Sequence, residues 1–114
     1  MGYNAAMRPD LQQLIEKELE NAERARSNQN EGMARVCARR AAGWAAQEFL
    51  KHQGVTLRKG SAYDALKLLV SYPGLPPELH AAAGHLTTKV SEEFTLPEDV
   101  DLIADARNLI GGLG

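Results

Sequence analysis

Apolar residues recur at three- and four-residue steps through most of the chain, and polar interruptions divide the pattern into five segments. Residues 1–9 hold no sustained period and read as a loose lead-in that ends where Pro9 and Asp10 open the first helix. Leu11, Leu14, Ile15, Leu19, Ala22 and Ala25 share one face of it, while Glu16, Glu18, Glu20, Glu23, Arg24 and Arg26 take most of the remainder. Glu20 and Arg24 are spaced to pair along that polar side. Ser27-Asn28-Gln29-Asn30 breaks the period and offers Asn30 as an N-cap. So short a connection predicts that the next helix folds back antiparallel.

The second segment, Glu31 to His52, carries the broadest apolar arc. Ala34, Ala38, Ala41, Ala42, Ala45 and Phe49 fall in one sector, and Met33, Cys37 and Trp44 widen it. Contact with more than one neighbour follows, so this segment should run through the centre of a bundle, its alanines admitting close backbones. Gln53-Gly54 stops it. After a basic loop, Ser61-Ala62-Tyr63-Asp64 reads as a capping-box-like start, with Ala62, Ala65, Leu66, Leu69 and Val70 facing inward before Pro73-Gly74. Pro76-Pro77 pre-sets a fourth helix with Leu79, Ala82, Ala83, Leu86 and Val90 inside. Pro97 starts a fifth, whose acidic Glu98, Asp99 and Asp101 suit a helix N-terminus and whose Leu102, Ile103, Ala106, Leu109 and Ile110 form the stripe. The predicted fold is all-α, an up-and-down bundle of four or five helices in one domain over residues 1–114.

Composition agrees. Seventeen of the 114 residues are Ala and only eight are Val or Ile, a balance that favours helices over strands. No apolar run approaches the ~20 residues of a membrane span, no leader pattern opens the chain, and one cysteine excludes an internal disulfide, so a cytoplasmic protein is expected. The net charge of −2 is segregated: residues 32–60 sum to +5, and residues 61–114 to −5. Such a distribution suits contacts within the chain or between copies, or leaves the basic part for a nucleotide or RNA.

Candidate chemistry is sparse. His80 and His85 are five positions apart and diverge around a helix, which argues against a shared metal. Cys37 reads as a small buried hydrophobe. Glu16, Glu20 and Glu23 form one acidic row and Glu98, Asp101 and Asp105 another, the first read as a solvated face and the second as a match to a helix dipole. Glu48 projects into the apolar sector, so it needs a cation from another helix (Arg107 is one candidate) or a dimer partner. Arg40, one turn before Trp44, is placed for a cation–π contact. The best candidates for holding phosphates are Arg35, Arg39, Arg40, Arg58 and Lys59, with a solvated face or inter-helix ion pairs as the alternative.

The stretch Glu31-Gly32-Met33-Ala34-Arg35-Val36-Cys37-Ala38-Arg39-Arg40-Ala41-Ala42-Gly43-Trp44 resembles the second helix of HEPN domains. The runs from Pro77 to Leu86 and from Leu96 to Arg107 are similar to that family's final helices. The resemblance implies a four- or five-helix bundle, commonly a homodimer, often paired with a small nucleotidyltransferase in toxin–antitoxin modules. Catalytic members are ribonucleases that carry Arg, four to six residues, then His. Here Arg40 precedes His52 by twelve positions, and no other arginine has a histidine at the required distance. The nuclease motif is missing, and no cofactor is implied. The expectation is therefore a dimeric, non-catalytic bundle that binds a partner protein or a nucleotide. The alternative is an RNA or nucleotide binder, or a divergent ribonuclease, using the basic cluster.

Overall fold

Five helices form where the apolar periods run: α1 (Pro9–Ser27), α2 (Glu31–His52), α3 (Ala62–Leu69), α4 (Pro77–Thr87) and α5 (Leu102–Gly112). The computed structural model describes residues 8–55, 62–88 and 100–113, and among these no strand occurs. Helix ends follow from capping chemistry. Asn30 accepts a hydrogen bond from the Met33 amide at 3.1 Å and so opens α2. Gly54, at φ +80°, closes α2: its amide reaches the Lys51 carbonyl and the next one, Val55, reaches Leu50. Residue 29 closes α1 in the same way, with Gln29 at φ +61° and Asn30 bonded back to Ala25. Glutamine in a left-handed conformation was not anticipated by the sequence, because glycine is the usual occupant. α5 begins later than Pro97 suggests. The Asp101 carboxylate accepts from the Ile103 and Ala104 amides and is its N-cap; Pro97, Glu98 and Asp99 lie outside the described residues, as do Ser61 and Val90.

Paired residues set the helix directions. Arg8 with Glu48, Glu18 with Arg40, and Arg26 with Glu31 run in opposite order along α1 and α2, so these two are antiparallel. Tyr63 with Thr87 and Tyr72 with His80 make α3 and α4 antiparallel, and Leu79 with Gly112 and His85 with Asp105 do the same for α4 and α5. One step departs from strict up-and-down order. Gly43 lies against Ala62 and Phe49 against Tyr72, so α3 advances in the same sense as the second half of α2.

α2 is central, with α1, α3 and α5 packed on it. Ala34, Ala38, Ala41, Ala42, Ala45 and Ala46 are all buried along it, and apart from Leu50 near its C-terminal end the larger side chains come from the neighbours: Ile15 and Leu19, Leu66 and Leu69, Leu86, Leu102 and Leu109. Small residues on the middle rod and large ones on the surrounding rods fill the space without moving the axes apart. Three expected core positions are outside. Leu14 lies at the edge of the α1 stripe and is 49% exposed. Met33 falls on the outward strip of α2, and Val70 follows the end of α3, where the turn rotates it to solvent. Glu18, expected on the polar face, is buried.

Arg26 ties three helix ends together. Its Nη2 donates to Glu31 at 2.8 Å and its Nη1 to Asp101 at 2.9 Å. The bond from Arg26 holds the Glu31 carboxyl below its ordinary range. At Asp101 burial pulls upward, but Arg26 and two backbone amides outweigh it, and the net direction is again down. Carboxyls depressed in the folded state contribute stability above their unfolded pKa of about 4, and lose it as pH falls through the lower folded values. Thermal midpoints measured from pH 6 to pH 3 should therefore fall, and Arg26→Gln should flatten that slope. An equally steep slope in the variant would show that the acid sensitivity lies elsewhere.

Candidate functional site

Val36, Arg39 and Arg40 are spaced to share one side of α2, and together with Ala62 and Tyr63 at the start of α3 they line a pocket of about 280 Å³. The close approach of the two helices is possible because residue 43 is glycine. A Cβ there would meet the Ala62 Cα at 2.9 Å.

The pocket is braced from α4. Carbonyls at a helix C-terminus lack intrahelical partners and carry partial negative charge. Arg39 Nε donates to the Leu86 carbonyl at 2.6 Å, and the Tyr63 hydroxyl donates to the Thr87 carbonyl at 3.3 Å. Arg39 is thus engaged through one of its five N–H groups, and the Tyr63 ring is tied to α4 through its hydroxyl. The Lys67 ammonium sits 5.6 Å from the centroid of that ring. Burial pushes the Arg39 guanidinium pKa down, and the neighbouring Arg35 charge adds to this. Among the described residues no carboxylate stands within ion-pair distance of Arg39. A half-buried cation in such surroundings is stabilised by an incoming anion.

Of the residues singled out by sequence, the structure brings Arg39 and Arg40 together in one pocket, with Arg35 close enough for its charge to be felt there. Arg35 also stands 3.8 Å from Glu31. Arg58 and Lys59 lie outside the described residues. Tyr63, Val36 and Lys67 were missed. Val36 shares the helical spacing of Arg39 and Arg40 and could have been found from it, whereas Tyr63 and Lys67 carry no spacing signal toward the arginines, since only the close packing of Gly43 on Ala62 unites the two segments.

Other expectations are corrected. Arg40 does not stack on Trp44: its Nη1 donates to Glu18 Oε2 at 2.6 Å, while the Glu18 Oε1 accepts from Asn21. Arg24 donates to Asn21 and is not paired with Glu20. Glu48 is buried, but its neighbours are His52 at 3.2 Å and Arg8 at 3.8 Å, not Arg107, which instead binds Glu16 and Glu23. Cys37 is buried as expected. Burial raises its thiol pKa and the adjacent Glu18 carboxylate raises it further, which makes the sulfur a poor nucleophile.

The three histidines are dispersed over separate partners. His52 meets Glu48, His80 Nε2–H donates to the Tyr72 carbonyl at 2.8 Å, and His85 Nδ1 is 3.0 Å from Asp105. Burial raises the Asp105 pKa against the opposing pull of that imidazole. Among the described residues no group of three His, Cys, Asp or Glu side chains is placed to hold a metal ion, and no helix is long and apolar enough to cross a membrane. Among the described residues, the five that line the pocket include no carboxylate, imidazole or thiol. The arrangement can hold an anion beside an aromatic ring.

Family models, curated proteins and solved structures yield no match to this chain.

Proposed function

We propose that the chain is a non-catalytic, HEPN-like helical bundle that binds one nucleotide unit, either free or at the end of an RNA strand. The observation that carries this reading is the half-buried Arg39 guanidinium, braced on α4 without a carboxylate partner among the described residues and opening into a pocket with the Tyr63 ring. Guanidinium N–H groups match phosphate oxygens in geometry and charge, and an aromatic face accepts a base of any sequence. The volume of about 280 Å³ lies just under the ~300–1,000 Å³ typical of small-molecule sites, which favours a single nucleotide unit over a larger ligand. A nucleotide is preferred to a protein partner because two cations stand beside a ring and the apolar Val36 and Ala62, a combination that complements phosphate and base.

Isothermal titration with AMP and with a 5′-phosphorylated RNA tetranucleotide tests the reading and separates the two sources. Arg39→Gln should weaken binding by about 10–100-fold, the range for a lost bond to a charged group. Because Arg39 also caps α4, Arg39→Lys and Arg35→Gln are measured alongside. Both should stay folded by circular dichroism, and each should lower affinity. Binding that is absent in the wild type, or unchanged in all three variants, overturns the proposal.

A further inference from the structure

The pocket contains an arginine that is already spoken for. Arg40 lines it, and its side chain is 48% exposed, yet its Nη1 is bonded at 2.6 Å to a carboxylate that is only 10% exposed. That carboxylate, Glu18, projects from α1 toward α2, so the ion pair crosses the helix seam directly behind the pocket wall. Asn21 Nδ2 donates to its other oxygen at 3.1 Å, and the Cys37 thiol lies beside it. Glu18 therefore sits among Asn21, Cys37 and Arg40.

We infer that Glu18 is an internal competitor that occupies Arg40 in place of the ligand's phosphate and so sets the affinity of the pocket. The inference rests on the nucleotide-binding reading above. A guanidinium has its own complement of donors, but its charge is shared when two anions face it. A phosphate arriving at Arg39 and Arg40 meets one cation, Arg39, without a carboxylate partner among the described residues, and one already neutralised. Drawing Arg40 fully onto the ligand strips Glu18 of its cation while the carboxylate remains buried, and that loss opposes binding. Asn21 and Cys37 stay behind as neutral partners, so the exchange is graded and the seam need not open. The device differs from a simple structural ion pair in one respect: removing the acid strengthens the site.

Glu18→Gln keeps the shape and the hydrogen-bonding capacity of the side chain while deleting its charge. Titrated with AMP, this variant should bind about tenfold more tightly than wild type, within the usual range of coupling between neighbouring sites. The gain must pass through Arg40. In the double variant Glu18→Gln/Arg40→Gln the increase should disappear, and the interaction measured by the full cycle should equal it. Thermal unfolding of all four proteins checks that the fold is kept, and Glu18→Asn serves as a second charge deletion if the glutamine variant does not fold. Equal or weaker AMP binding by a folded charge-deleted variant overturns the inference, even where wild-type binding upholds the nucleotide site. A gain that persists without Arg40 overturns it as well, because it would reflect general charge alone. Absence of AMP binding in every protein, Glu18→Gln included, removes the underlying reading and this inference with it.

Discussion

Truncating Leu66 to alanine is expected to cost about 2–5 kcal/mol, the range for removing a fully buried leucine from a packed core. Leu66 has no exposed surface, and it belongs to the shortest helix, where Ala65, Leu66 and Leu69 are the buried anchors. Eight residues cannot sustain a helix alone, so α3 exists because its apolar face is docked. In a domain of this size the loss corresponds to a fall in Tm of roughly 10–25 °C. Nucleotide binding should weaken in parallel, since Ala62 and Tyr63 are carried on the same helix. Leu68→Ala is the control: that side chain is exposed, and its removal should change stability by less than about 0.5 kcal/mol. Similar losses from both variants, measured by thermal and denaturant unfolding, would contradict the packing of α3.

Gly43→Val is expected to destabilise by about 1–3 kcal/mol, the usual penalty for overpacking. The obstacle is backbone: a Cβ at this position meets the Ala62 Cα at 2.9 Å and its carbonyl carbon at 3.2 Å. A flexible side chain could swing away from such a contact, whereas a helix start must move as a unit. Valine recovers only a few tenths of a kcal/mol over glycine in helix propensity, which does not offset the clash. The shift separates α3 from α2, so the pocket between them should lose AMP affinity even in molecules that remain folded. Gly84→Ala reverses the sign. Gly84 lies inside α4 with nothing within 4 Å of a Cβ, so alanine should stabilise by about 0.5–1 kcal/mol. Should valine at 43 prove neutral, the close approach of the two helices would be refuted.

Most of the secondary structure was legible because its determinants are local. Asn30, Gly54 and Pro77 each act on backbone groups within a few residues, and all three mark helix ends where the spacing placed them. The central place of α2 was legible too, since an apolar arc wider than one neighbour can cover requires several. Three failures share a different cause. Leu14 and Met33 fit the helical period yet face solvent, because periodicity marks a stripe and not how far the neighbours extend over it. Glu18 looked like part of a charged face, and its burial depends on Arg40 arriving from the next helix. The partners proposed for Glu48 and Arg40 were chosen by type and spacing, and in both cases another group lay closer in space.

For the candidate site, the arginines could be read from the chain but the pocket could not. Arg39 and Arg40 stand out by charge among alanines, whereas Tyr63 is more than twenty positions away and becomes their neighbour through one glycine. Residue identities alone determined five amphipathic segments, a middle helix narrow enough to be enclosed, and a concentration of positive charge upon it. Only the folded arrangement decided that α3 runs in the same sense as α2, that α4 presents its terminal carbonyls to Arg39 and Tyr63, and that Glu18 engages Arg40 from behind. The physical reason is range: turns and caps are settled by interactions a few residues long, whereas partners for buried charges are settled by packing between segments that the sequence order does not place side by side.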